Sequence, residues 1–177
     1  MNLCNALWKP TKRMTTRVDI QVAVDDEFVP DSDDIEVWVS CAMRAAGRRE
    51  DADVSVRVVN AAEMQQLNSE FREQDKPTNV LSFPAGDIEG LPSDADVPLG
   101  DIVICAEIVR SEAKEQGKTA EAHWAHMVVH GTLHLLGFDH ENDSDAARME
   151  SLEIQVLTDN GIANPYTESL GEAALET

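Results

Sequence analysis

The sequence predicts a single-domain α/β (α+β) fold: a mixed sheet of about four strands, helices packed on it, and a helical C-terminal half. Three observations predict it. Short stretches alternate apolar and polar residues, as half-buried strands do. The segments between them carry helix caps and glycine stops. A length of 177 residues suits one domain with its own core.

In chain order, 17–24 (RVDIQVAV) alternates and reads as the first strand. Asp31 or Ser32 caps a helix through Ala46, ended by Gly47. The alternation returns in 53–59 (DVSVRVV). Asn60 then caps a helix to about Arg72, with Glu63 placed to complete a capping box. Residues 77–83 (PTNVLSF) form a third strand. Residues 84–98, rich in glycine, proline and acids, form a loop long enough to serve as a lid. A fourth strand spans 99–105 (LGDIVIC), and a helix follows from Ala106 to Gln116 with its stop at Gly117. Thr119 caps the next helix, which runs to Leu136 and stops at Gly137; a last helix spans roughly 144–160. The expected boundaries are a disordered extension over 1–16, the domain over 17–166, and an acidic, frayed tail over 167–177.

Composition narrows the function. Three widely spaced cysteines without a C-x-x-C pair argue for reduced thiols in the cytoplasm, Cys41 and Cys105 serving as small buried hydrophobes. No apolar run is long enough for a membrane span. The net charge of −20 repels nucleic acid at long range, so a polyanionic partner needs a local positive site. Arg57, Arg72 and Lys76, and the stripe Arg110, Lys114 and Lys118, are the candidates.

All five histidines lie between His123 and His140. At 100° per residue, His123, His126, His130 and His134 share one helix face, an arc of about 80°. His130 and His134, one turn apart, can converge on one ion. His126 and His134 are separated by about 12 Å along the axis and cannot share it. The third ligand must come from where the chain turns back, and His140 follows the bend at Gly137. His130, His134 and His140 therefore form a three-imidazole site, best suited to zinc. His123 and His126 are left as residues that support the ligands from behind, lie on the substrate side or are simply packed.

This is the ligand spacing of the metzincin proteases, H-E-x-x-H-x-x-G-x-x-H. Here Gly131 stands where those enzymes carry their catalytic glutamate, which removes the peptidase reading. Three neutral imidazoles leave the ion its full double charge and an open coordination position, a site that favours anions such as a phosphodiester. Asp139, Glu141 and Glu150 are candidate hydrogen-bond partners for the ligand rings.

HGTLHLLGFDH, with PTNVLSFP and LGDIVIC upstream, resembles the YbeY family of bacterial endoribonucleases over about 18–166. The resemblance implies a mixed α/β fold and metal binding by His130, His134 and His140. It also implies a catalytic role for Arg57, in VSVRVV, as a group that stabilises phosphate. It implies a zinc-dependent, single-strand-specific endoribonuclease acting in 16S rRNA 3′-end maturation and ribosome quality control. The expected partners are ribosomal RNA and the small ribosomal subunit with its associated factors, with no role for DNA or membrane. Two other expectations compete: an RNA-binding assembly factor with a structural metal site, and a metal hydrolase of another phosphodiester. Many family members carry Asp where this chain has Asn79, so a base at that position does not carry over. The base is then the metal's own water, or the RNA 2′-hydroxyl is the nucleophile.

Overall fold

The computed structural model describes residues 16–26, 28–48, 51–86 and 97–167. The element order is β1 (Thr16–Val22), α1 (Ser32–Ala45), β2 (Ala52–Val59), α2 (Ala61–Arg72), β3 (Val80–Pro84), β4 (Val97–Cys105), α3 (Ala106–Glu115), α4 (Ala120–Leu135) and α5 (Asp143–Asp159). The mixed α/β class and the order of elements are as the sequence predicts. The expected N-terminal extension falls outside the described residues except for Thr16, and the C-terminal tail except for Thr167. Most of the expected loop over 84–98 also lies outside them. Its two ends are already strand, because β3 runs on to Pro84 and β4 starts at Val97.

The sheet order is β1-β2-β4-β3, with β1, β2 and β4 parallel and β3 antiparallel at one edge. Strand alternation gives the sheet two faces. Val54, Val56, Val58, Ile102 and Ile104 point to one, in the main core with α1 and α4, and α5 packs against those two helices. Val103, Cys105 and Leu81 point to the other, where Met64 of α2 packs on them. Burying both faces explains why β2 and β4 are so rich in valine and isoleucine.

Two helix ends shape the surroundings of the histidines and of Arg57. The Asn60 side chain accepts from Glu63 N–H at 2.9 Å, which starts α2. The return half of the expected capping box does not form, because the Glu63 carboxylate pairs instead with Arg57 at 2.9 Å. At the end of α4, Phe138 N–H donates to Leu133 C=O at 3.1 Å and Gly137 N–H to His134 C=O at 3.0 Å. This is a Schellman closure with Gly137 in the left-handed region, φ +86°. It reverses the chain and brings His140 back over the helix end.

Helix α4 lies close against the sheet at Gly131. A Cβ built there would sit 2.9 Å from Ile102 Cγ2 and 3.3 Å from Ser82 Oγ. Ser82 Oγ donates to Gly131 C=O at 3.2 Å, pinning helix to strand. The glycine that lacks the protease carboxylate thus also leaves no room for a side chain unless Ile102 shifts. Gly131→Val is expected to lower stability by about 1–3 kcal/mol through overpacking. Chemical denaturation checks this, and an unchanged midpoint would contradict the close approach.

Candidate metal centre

The structure brings His130, His134 and His140 together, with one ring nitrogen from each within 4.8 Å of the others. His130 Nε2 and His134 Nε2 are 3.1 Å apart. Tetrahedral zinc with Zn–N near 2.0–2.1 Å separates its ligand nitrogens by about 3.3 Å, so the cluster has the right size. The His140 ring lies 5.1 Å from the His134 ring and 5.6 Å from the His130 ring, centre to centre. His134 is held below its ordinary pKa by burial first, then by the neighbouring His130 and His140. That favours the neutral imidazole, the form that binds a metal.

A buried carboxylate organises the rings. Glu153 of α5 is fully buried, and its Oε1 lies 2.7 Å from His130 Nδ1. Its Oε2 faces His126 Nε2 at 3.3 Å and accepts from the Tyr166 hydroxyl. Burial alone would raise the Glu153 pKa, but the hydrogen bonds from His126, His130 and Tyr166 outweigh it and hold the group down at about 2. An ionised carboxylate only accepts, so His130 Nδ1 must carry the hydrogen, leaving the Nε2 lone pair directed at His134. The hydroxyl of Tyr166 is held protonated by burial and by the Glu153 charge.

Glu153 replaces the partners expected from sequence. Asp139 accepts from the backbone N–H of His140 at 2.7 Å, Glu141 lines the cleft, and Glu150 is exposed on α5. The signal that could have found it is a carboxylate in an apolar stripe: Glu153 shares the buried face of α5 with Met149, Val156 and Leu157. His126, His130 and Glu153 form a second group able to hold an ion. It competes with the first for His130, whose Nδ1 is already committed to Glu153.

Farther along α4, buried His123 places Nε2 at 2.8 Å from Glu112 of α3. Asn79 Nδ2 donates to the same carboxylate at 3.1 Å, while Asn79 Oδ1 accepts from Val80 N–H at 2.7 Å. Asn79 therefore ties α3 to the start of β3, and an aspartate there would face Glu112 as a like charge.

The three histidines open on a cavity of about 690 Å³, bounded on the far side by β3 and Arg72. Arg57 is not among its lining residues. In register it sits beside Val103, on the α2 face of the sheet, whereas α4 covers the opposite face. Its guanidinium bonds Glu63 and Gln21. Nor does the expected basic stripe line the cavity. Arg110 pairs with Asp26 at 3.0 Å, and Lys118 Nζ donates to Pro165 C=O at 2.6 Å. Lys114 and Lys76 are exposed elsewhere. Among the described residues, Arg72 is the one lysine or arginine lining the cavity.

Fold and site define a mixed α/β protein with a three-imidazole cluster, able to hold a metal ion, at the wall of an open cleft. The family model of endoribonuclease YbeY matches residues 20–161. Endoribonuclease YbeY of Colwellia psychrerythraea (strain 34H) is 44% identical over 153 residues, covering 85% of this chain and 97% of that protein. The solution structure of TM1509 from Thermotoga maritima aligns with a TM-score of 0.54 at 26% identity, covering 90% of this chain and all of that one. The chain belongs to the YbeY endoribonuclease family, and so is a nuclease, a hydrolase. Among the described residues no helix is long and apolar enough to cross a membrane.

Two outcomes test the hydrogen-bonding shell. Glu153→Gln should weaken metal binding by roughly 10- to 100-fold in a competition titration with a chromogenic chelator; unchanged affinity would contradict the role of Glu153. The Glu112 carboxyl is held below its ordinary 4.5, chiefly by its hydrogen bond with His123. A depressed carboxyl stabilises the fold above its unfolded pKa, and that contribution disappears as pH falls through the folded value. The melting-temperature advantage of wild type over Glu112→Gln should therefore hold above about pH 4.5 and shrink below it. An advantage independent of pH would contradict the assignment.

Proposed function

We propose that the protein is a zinc-dependent, single-strand-specific endoribonuclease of the cytoplasm. It would act in 16S rRNA 3′-end maturation and ribosome quality control, with the small ribosomal subunit and its associated factors as partners. The observation that carries this reading is a three-imidazole cluster at the wall of an open cleft in a chain of the endoribonuclease family. His130, His134 and His140 would hold the ion. When bound it would supply Lewis-acid stabilisation of the charge that builds on a phosphodiester in the transition state.

The chain's own residues do the rest. Neutral imidazoles leave the ion's charge undiminished for an anionic substrate, and Glu153 fixes the tautomer of His130. Gly131 places no carboxylate beside the ligands, so the site lacks the group a peptidase would use. Arg57 enters as a positioning residue. It clamps Glu63 in the first turn of α2, and Arg72 ends the same helix at the cleft.

The test is cleavage of single-stranded and duplex rRNA fragments, with and without chelator, by wild type and His134→Ala. Single strands should be cut, and chelation or His134→Ala should reduce the rate by on the order of 100-fold or more. Equal traces of cutting in every sample would identify contamination and favour a binding protein for ribosome assembly. Comparable turnover of small phosphodiesters would favour a less specific hydrolase. Arg57→Ala should lower kcat/KM with zinc content unchanged; activity equal to wild type would leave Arg57 without a role in the reaction.

A further inference from the structure

The cleft has acidic residues at its wall: Asp139 and Glu141 line it beside the histidines. The chain as a whole carries −20. A polyanion entering such a cleft needs a cation fixed there, and Arg72 is the only one that the described residues provide. We propose that Arg72 is the substrate-phosphate ligand of the cleft, facing the histidine cluster across the edge of β3. This rests on the nuclease reading of the site and adds the residue that holds the RNA backbone.

The geometry of the edge strand explains why Arg72 is available for this. Cys105 N–H donates to Asn79 C=O, and Ala85 N–H to Leu99 C=O, so alternate residues of β3 turn their backbone groups towards β4. Val80, Ser82 and Pro84 therefore turn theirs outward, and all three line the cleft. The outward C=O of Ser82 accepts from Arg72 Nη2 at 3.4 Å. A carbonyl orients the guanidinium without neutralising it. Arg57 and Arg110, by contrast, are paired with Glu63 and Asp26. Arg72 has no carboxylate partner among the described residues, so its charge and its remaining N–H donors are available to a phosphate.

The placement also follows from the sequence. Arg72 is the last residue of α2, and Glu73 turns the chain in the left-handed region, φ +58°. The Asn68 side chain then donates to Lys76 C=O at 2.7 Å, closing the turn that leads into β3. The arginine is thus held at the joint between the helix and the edge strand.

The experiment compares wild type, Arg72→Ala, Arg72→Lys and Lys114→Ala, all zinc-loaded. It measures the affinity of a 2′-O-methylated single-stranded RNA at several salt concentrations and kcat/KM on the unmodified strand. Arg72→Ala should weaken binding by roughly 10- to 100-fold, as for loss of a charged hydrogen-bonded contact. It should also lower the slope of log affinity against log salt by about 0.7, with zinc content unchanged. Arg72→Lys should keep the slope and lose affinity several-fold, because a point charge replaces a fork. Lys114→Ala, which removes a charge outside the cleft, should change affinity less than about 2-fold.

Arg72→Ala with wild-type affinity and slope overturns the proposal while leaving the nuclease reading intact, as does Lys114→Ala matching Arg72→Ala. Wild type that neither binds nor cuts RNA overturns both. Should Arg72→Ala fail to fold, Arg72→Lys decides, and wild-type affinity there overturns the proposal.

Discussion

His130 is held at both ring nitrogens, and the rest of the site depends on that. Its Nδ1 meets the buried carboxylate of Glu153, and its Nε2 faces His134. A charged carboxylate with no exposure is costly unless it is fully partnered, and Glu153 is partnered by two imidazoles and a phenol. The same bonds that make the charge tolerable fix the ring whose other nitrogen faces His134. Helices α4 and α5 are therefore joined at their contact by the interaction that prepares the site, so fold stability and metal readiness rest on shared groups.

The cleft exists because α4 can lie so close to the sheet. Gly131 admits Ile102 and Ser82 to the helix surface, and the Ser82 hydroxyl bonds the Gly131 carbonyl. That contact sets the edge strand β3 beside the histidines, with its outer backbone groups turned to the cavity. Arg72, ending α2, reaches the same edge from the opposite face of the sheet. One wall of the cleft is thus imidazole and carboxylate, the other backbone and guanidinium, an arrangement suited to a strand of alternating phosphate and base.

Much of this is legible in the sequence, for reasons that differ by feature. The strands β1 and β2 announce themselves by alternation, and α2, α4 and their caps by Asn60, Thr119 and Gly137. These are local signals, written within one turn or one strand. The spacing of His130, His134 and His140 is also local, since a helix turn and one glycine bend determine it. Glu153 is not legible because its role depends on how α5 packs on α4, thirteen residues beyond the last of these histidines. The role expected of Arg57 comes from the family resemblance; alternation gives the parity of a strand residue but not which face α4 covers, and Arg57 lies on the α2 face. Of the expected basic stripe only Arg110 and Lys114 lie on α3, which ends at Glu115 before Lys118; Arg110 turns to Asp26 and Lys118 to Pro165, not to the cleft.

If His130 is fixed in this way, one ion binds between His130, His134 and His140, and Glu153 serves as a hydrogen-bond acceptor and not a ligand. Anomalous diffraction at the zinc edge, from crystals grown with the metal, locates the ion without reference to activity. A single peak is expected about 2.1 Å from one ring nitrogen of each of the three histidines, with His130 Nδ1 still bonded to Glu153. A peak between His126 and Glu153, or none near His140, would contradict this arrangement.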